Sequence, residues 1–284
     1  MSRYPAMSAI QPTIGVFDSG FGGLTVLREL LSLVPSARYV YLGDTARLPY
    51  GSKSRETIVR YALSSAQFLA DQGADLLVIA CNTATALALE DIKAALPIPV
   101  VGVIEPGAHA ALDAATGKPK SGEVLVLATA ATTQSAAYTR ALNALGLQAT
   151  EKACPLLVPL VEEGWLEQPV YKSVTLEVLR IYLIEALAQA PTASTLLLGC
   201  THYPLLKPLI ETTLQTLRHP MSVIDSAHAT ARAVAALLPA ATEVPATSPS
   251  CQFYATDSVE KFQRLGSVFL GRPLDEVDLL DLGG

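Results

Sequence analysis

The strongest constraint on this chain is a rhythm. Short apolar, β-branched runs near residues 13–17, 38–42, 75–80, 99–103, 123–128, 195–199, 222–225 and 251–255 are separated by long stretches of helical periodicity. Runs this apolar read as strands buried on both faces, and strands alternating with helices read as a mainly parallel sheet with helices on each side. The expected class is α/β. The helical pattern from Ser54 to Gln72 turns Ile58, Tyr61, Ala62, Ser65, Phe68 and Leu69 to one side and stops at Gly73. A second, from Gln168 to Ala190, is rich in Leu and Ala and is ended by Pro191.

A chain of 284 residues suits one large or two medium domains with ample core. Half of it is hydrophobic, yet Gly, Asp, Asn or Thr breaks every apolar run well short of the roughly 20 residues a membrane span needs. The first ten residues, MSRYPAMSAI, lack the apolar core of a secretory signal, so a cytoplasmic location is expected. They are also too short and ordinary to suggest a site for an activator. A net charge of -6 without runs of Lys or Arg offers nucleic acid no general attraction. The four cysteines, Cys81, Cys154, Cys200 and Cys251, have no CxxC spacing, which argues against a disulfide scaffold or a zinc knuckle.

Two loops look like domain crossings, one at Glu105, Pro106 and Gly107 and one between Pro220 and Asp225. If both are, residues 1–105 and 224–284 form a discontinuous first domain and residues 106–223 form the second. The C-terminal LDEVDLLDLGG reads as a last strand or helix packed on the first domain.

Chemistry is suggested where strands end. Cys81 in LVIACNTATA and Cys200 in LLLGCTHYPLL each stand where a β-forming run gives way to small polar residues. Open α/β sheets bind ligands at such strand-to-helix junctions, and helix N-termini favour anions, so both thiols are expected as thiolates beside a bound molecule. Asn82, Thr83 and Thr85 supply donors suited to a carboxylate at a helix start. His202, two residues after Cys200, can orient a thiol, carry its proton or bind a metal. The same residues also suit buried cysteines beside a helix cap, or three metal ligands in Cys81, Cys200 and His202. In IGVFDSGFGGL the first strand delivers Asp18 and Ser19, and Gly20, Gly22 and Gly23 would let backbone N–H groups approach an anion. The glycine spacing matches neither a Walker loop nor a dinucleotide fingerprint.

With these motifs on the page, the chain resembles glutamate racemase, within the cofactor-independent aspartate/glutamate racemases. IGVFDSGFGGL, YLGDTARLPYGSKS, ACNTATA, VIEPG, CPLLVPLVEEG, LGCTHYPLL and FYATD occur in the family's order over nearly the whole length. The resemblance implies two similar three-layer α/β domains with mainly parallel sheets, related by a pseudo-twofold axis, with the active site in the cleft between them. It implies that Cys81 takes the α-proton from D-glutamate and Cys200 from L-glutamate, assisted by Asp18 on the first side and by His202 and Glu162 on the second. Glu163 is the adjacent candidate. Implied substrate contacts are Asp18, Ser19, Pro49, Tyr50, Gly51, Ser52, Asn82, Thr83, Thr129, Thr132, Thr201 and His202. Ala128 and Ala131 stand where the family pattern has Gly or a similar turn residue. The resemblance further implies no cofactor and no metal, a homodimer, and a role in supplying D-glutamate for peptidoglycan and hence cell-wall biogenesis and cell shape. Lys53 and Lys207, the lysines nearest these motifs, sit at a helix start or on a helical surface, which suits solvated charges better than a Schiff base.

Three other readings stand beside this one. An aspartate racemase would use the same thiol pair with a shorter pocket, although LPYGSKS favours glutamate. A decarboxylase of this fold keeps only one of the two cysteines. A non-catalytic amino-acid-binding protein would use the same strand ends without moving a proton.

Overall fold

The computed structural model describes residues 11–115, 122–238, 249–274 and 276–283. The N-terminal decapeptide considered above lies outside them. Ten strands run in chain order as β1 (Thr13–Asp18), β2 (Arg38–Gly43), β3 (Leu76–Ile79), β4 (Val100–Gly102), β5 (Glu123–Ala128), β6 (Gln148–Ala153), β7 (Thr195–Gly199), β8 (Ser222–Asp225), β9 (Cys251–Ala255) and β10 (Val277–Leu279). The helices are α1 (Leu24–Leu33), α2 (Arg55–Asp71), α3 (Asn82–Ala95), α4 (Ile104–Ala115), α5 (Ala130–Ser135), α6 (Ala137–Ala144), α7 (Leu157–Glu162), α8 (Pro169–Gln189), α9 (Lys207–Thr216), α10 (Ala227–Leu237) and α11 (Val259–Leu270). Short 3-10 turns at Thr45–Arg47, Tyr50–Ser52 and Tyr203–Leu206 complete the regular structure of the described residues.

The chain divides into two compact units, one running to Val103 and resuming at Ala227, the other spanning Ile104–Ser226. Each is an α/β unit on a parallel sheet, as the apolar rhythm predicts. In the first unit the strand order is β10-β9-β2-β1-β3-β4, and every neighbouring pair is parallel. In the second it is β6-β5-β7-β8, again parallel throughout.

Local signals set the helix ends. Ser54 caps α2 by accepting the Thr57 N–H at 3.4 Å, and the chain leaves that helix through Gly73, whose φ of 81° is strained for any residue with a Cβ. Pro169 opens α8 at a position where its missing N–H has no intrahelical partner to lose. The first unit's core packs Ile58, Ala62, Ala66 and Leu69 of α2 and Ala84, Ala88 and Ile92 of α3 against Phe17, Val40, Leu42, Leu77 and Ile79 from the sheet. In the second, Leu179, Leu183 and Ala186 of α8 and Ile210 of α9 are buried with Leu125, Leu127, Leu196 and Leu197. Full burial of each such Leu or Ile contributes about 1.5–3 kcal/mol, so these faces dominate the stability of both units.

One strand escaped the sequence reading and another was left open. β6, QATEKA, is polar and only partly buried, because an edge strand beside β5 has one open side and needs no apolar run. β10 is a short strand of three residues at the edge of the first unit's sheet, and it resolves the choice between strand and helix for LDEVDLLDLGG. Beyond it, Leu280 and Leu282 pack against the first unit's core.

Candidate active site

The two sheets share a topological pattern. In each, the chain makes a central strand, adds the next strand on one side, then crosses to add the following two on the other, giving β2-β1-β3-β4 and β6-β5-β7-β8. The carboxyl ends of adjacent strands whose connections leave in opposite directions open a crevice that binds ligands in doubly wound folds. In the first unit that switch point lies between β1 and β3, where Asp18, Ser19 and Cys81 emerge. In the second it lies between β5 and β7, where Thr129 and Cys200 emerge. Register holds the ends level, with Phe17 opposite Ile79 and Ala128 opposite Gly199.

Cys81 is the N-cap of α3, and its sulfur accepts the Ala84 N–H at 3.4 Å. It also donates to the Ser19 hydroxyl at 3.5 Å. The helix start and Ser19 favour a thiolate, but burial and the Asp18 carboxylate oppose them and win, pushing the Cys81 thiol up to about 11. Cys81 is therefore a thiol at neutral pH, a correction to the expectation that helix position alone would ionise it. Desolvation is the larger cause, and no local pattern reveals it.

Asp18 is fully buried, with Oδ2 accepting the Gly20 N–H at 2.9 Å. The glycine turn thus spends an amide on Asp18 itself. Gly23 serves close packing, since a Cβ there would come within 2.5 Å of the Asp18 Cβ and 2.9 Å of the Ala80 Cβ. Asn82 and Thr83 form the buried first turn of α3. Thr85 is committed elsewhere: its hydroxyl donates to the Ile79 carbonyl at 2.9 Å and accepts from Val103 N at 3.4 Å. Pro49 leads into the short 3-10 turn made by Tyr50, Gly51 and Ser52. The Tyr50 phenol points into the protein, donating to Asp44 Oδ2 at 2.5 Å, so what Tyr50 has left to offer a ligand is backbone.

In the second unit Cys200 opens a turn rather than a long helix. Its sulfur lies 4.0 Å from His202 Nδ1, and His202 Nε2 lies 3.1 Å from Glu162 Oε1 at the end of α7. Thiol, imidazole and carboxylate form a chain through both ring nitrogens. Glu162 makes this contact, while its neighbour Glu163 is exposed. The Thr201 hydroxyl sits 3.5 Å from His202 Nδ1. Thr129 caps α5, accepting the Thr132 N–H at 3.4 Å with the two hydroxyls 3.0 Å apart, so the pair survives the alanines at 128 and 131.

Comparison with known proteins turns this geometry into kinship. The model of the Asp/Glu/Hydantoin racemase family matches residues 14–234. The chain belongs to that family. A glutamate racemase from Koribacter versatilis (strain Ellin345) is 51% identical, covering 98% of this chain and all of its own. Among solved structures, a glutamate racemase isoform from Bacillus anthracis has a TM-score of 0.83 at 35% identity, covering 96% of this chain and 98% of its own. One from Francisella tularensis, crystallised with D-glutamate, has a TM-score of 0.82 at 33% identity, with the same coverage. The resemblance read from the motifs is borne out.

Within this racemase fold, the sequence reading passed over three supporting residues. Tyr203 is fully buried, and its phenol donates to the carbonyls of Cys154 at 3.0 Å and Ala128 at 3.3 Å, pinning the turn that carries Cys200 and His202 to the ends of β5 and β6. Asp44 and Thr256 do similar work in the first unit. All three lie inside quoted motifs, LGCTHYPLL, YLGDTARLPYGSKS and FYATD, and the signal at Tyr203 is that a phenol buried in a strand-end turn needs a partner. Cys154 is an inert packing thiol, fully buried and pushed up to about 12 by desolvation. Among the described residues, no group of three or more His, Cys, Asp and Glu side chains is arranged to hold a metal ion, and no helix is long and apolar enough to cross a membrane.

Proposed function

We propose that this protein is a glutamate racemase, interconverting L- and D-glutamate by two-cysteine proton transfer at the α-carbon without a cofactor. The observation that carries the reading is a thiol at the same topological position in both sheets, each with its own acidic support: Asp18 beside Cys81, His202 and Glu162 beside Cys200. Inversion needs an acid and a base on opposite faces of one carbon, and two equivalent strand ends supply one each. Relatives named glutamate racemase, one of them solved with D-glutamate, support glutamate as the substrate.

From L-glutamate, Cys200 takes the α-proton, with His202 orienting the sulfur and Glu162 orienting His202. Cys81, a thiol at neutral pH, delivers its proton to the other face. Its sulfur then holds the negative charge against the Ala84 N–H and Ser19. From D-glutamate the order reverses. A thiol pushed up to about 11 makes a stronger base than an ordinary one, which suits a weakly acidic α-hydrogen. Donors from Ser19, Asn82, Thr83, Thr129, Thr132 and Thr201, the 49–52 loop and two strand-end turns hold the substrate carboxylates and stabilise developing enolate charge. We further assign the protein to the cytoplasm, as a homodimer without nucleic-acid or membrane partners, supplying D-glutamate for peptidoglycan synthesis.

Circular dichroism of L- and D-glutamate and of L- and D-aspartate with purified enzyme tests the reading. Glutamate should lose its signal from either enantiomer, with solvent deuterium entering the α-position and a metal chelator having no effect. Faster loss with aspartate, or binding without deuterium incorporation, would replace this function with one of the alternatives.

A further inference from the structure

The 49–52 loop owes its position to a polar cluster that the reaction itself does not use. Asp44 follows β2, is fully buried, and donates its backbone N–H to the Asp18 carbonyl at 3.0 Å, so it stands beside the candidate acid/base centre. Its carboxylate, however, is spent inward. Oδ2 accepts the Tyr50 phenol at 2.5 Å and Oδ1 accepts the Thr256 hydroxyl at 2.9 Å, while Arg47 Nη1 lies 3.6 Å from Oδ2. The Tyr50 ring is buried between Phe17 and Tyr61, with centroids 6.2 and 6.1 Å away.

Thr256 belongs to FYATD, a segment remote in sequence that joins the first sheet through β9. It is held from both directions. Its backbone N–H donates to the Gly43 carbonyl at 3.2 Å, and its hydroxyl accepts from Ala46 N at 2.9 Å. The next pair repeats the stitch: the Thr45 hydroxyl donates to the Asp257 carbonyl at 2.6 Å and accepts from Asp257 N at 2.8 Å. Arg47 stacks over Tyr61 at 4.7 Å and donates to the Gly283 carbonyl at 2.8 Å, extending the cluster to the C-terminal segment. Tyr50, Thr256 and Arg47 converge on the Asp44 carboxylate, and through the Tyr50 phenol Asp44 holds the turn Tyr50–Ser52.

We propose that Asp44 is a positioning residue for substrate binding, holding the 49–52 loop through Tyr50, and that Thr256 in FYATD holds Asp44. The inference rests on the proposed function, in which that loop contacts glutamate. Asp44 touches no reacting atom, so its removal should weaken binding of substrate and transition state alike rather than slow the chemical step. That pattern raises KM at nearly constant kcat.

The test is steady-state kinetics of Thr256→Val, Thr256→Ser, Asp44→Asn and the Asp44→Asn/Thr256→Val double variant, in both directions. Thr256→Val keeps the shape of threonine and loses the hydroxyl. KM should rise about tenfold for both enantiomers with kcat changed less than about threefold, Thr256→Ser should restore it, and the double variant should be no worse than Asp44→Asn alone. If Asp44→Asn does not fold, Thr256→Val against Thr256→Ser decides, with D-glutamate affinity from calorimetry as a second readout. An unchanged KM in folded Thr256→Val, an equal defect in Thr256→Ser, or a loss confined to kcat overturns the inference. Wild-type enzyme that fails to racemise glutamate instead overturns the proposed function, so the two failures are separable.

Discussion

Glu162 Oε1 and His202 Nε2 lie 3.1 Å apart, on the ring nitrogen opposite the one that faces Cys200. A carboxylate in this place selects the orientation of the imidazole, which ties the setting of one thiol to a residue on α7. The other thiol has no such chain. Cys81 is governed by burial and by Asp18.

This asymmetry predicts an isotope effect. The enantiomers are equal in free energy, so Glu162→Gln must lower kcat/KM by the same factor in both directions, and we expect about tenfold. Proton transfer at Cys200 then limits both directions. The α-deuterium effect on kcat/KM should grow with L-glutamate and shrink with D-glutamate, and Asp18→Asn should give the mirror image. Competition with α-deuterated substrates measures both; equal effects in Glu162→Gln would remove Glu162 from the Cys200 side.

Cys81→Ser and Cys200→Ser should each lower racemisation by about 10²- to 10⁴-fold, the usual contribution of one acid/base group, while D-glutamate still binds. Circular dichroism gives the rate and calorimetry the affinity. Turnover like that of the wild type in either single variant would exclude that cysteine from the reaction.

A thiol raised to about 11 makes Cys81 slow to alkylate at neutral pH, with a rate that climbs about tenfold per pH unit toward that value. Asp18→Asn removes a like charge and should move the curve to lower pH. Peptide-resolved mass spectrometry after timed iodoacetamide treatment reads both. Stability carries the same sign. Folded Cys81 keeps its proton up to about 11 while the unfolded chain releases it near 9.0, so the unfolding free energy falls as pH rises through that window, and Cys154, raised to about 12, extends the fall. Denaturant titrations from pH 8 to 10 should show a shallower decline in Cys81→Ser.

Gly23→Ala would place a methyl 2.5 Å from the Asp18 Cβ, and both neighbours belong to strand ends that cannot retreat freely. Overpacking of this kind costs about 1–3 kcal/mol. Urea unfolding should show that loss, and activity should fall further than stability explains because Asp18 is the side chain displaced. Normal activity in a destabilised variant would separate Asp18 geometry from catalysis.

Tyr203→Phe removes the phenol that bridges the Ala128 and Cys154 carbonyls, which then keep only the backbone N–H groups of Cys154 at 2.9 Å and Leu157 at 3.2 Å. A loss of about 0.5–1.5 kcal/mol is expected, the net contribution of a hydrogen bond whose acceptors remain paired. The turn bearing Cys200 and His202 should loosen with it, seen as faster amide hydrogen exchange in residues 200–206.

What could be read along the chain was whatever repeats locally. Apolar runs and helix spacing located the central strands and placed α2 and α8 within a residue of their ends, because a buried parallel strand and an amphipathic helix each impose a period on their own residues. The strand-end positions of Cys81 and Cys200 followed from the same pattern. Edge strand β6 did not, since one open side leaves polar residues free to occupy it.

The sequence by itself determined the α/β class, the two thiols and the motifs of the racemase family. Tertiary structure alone decided the burial that raises the Cys81 thiol, which of Glu162 and Glu163 meets His202, and the tie between Asp44 and Thr256 across 212 positions. Desolvation and long-range hydrogen bonds depend on which surfaces meet after folding. A pattern of neighbours in the chain carries no record of them.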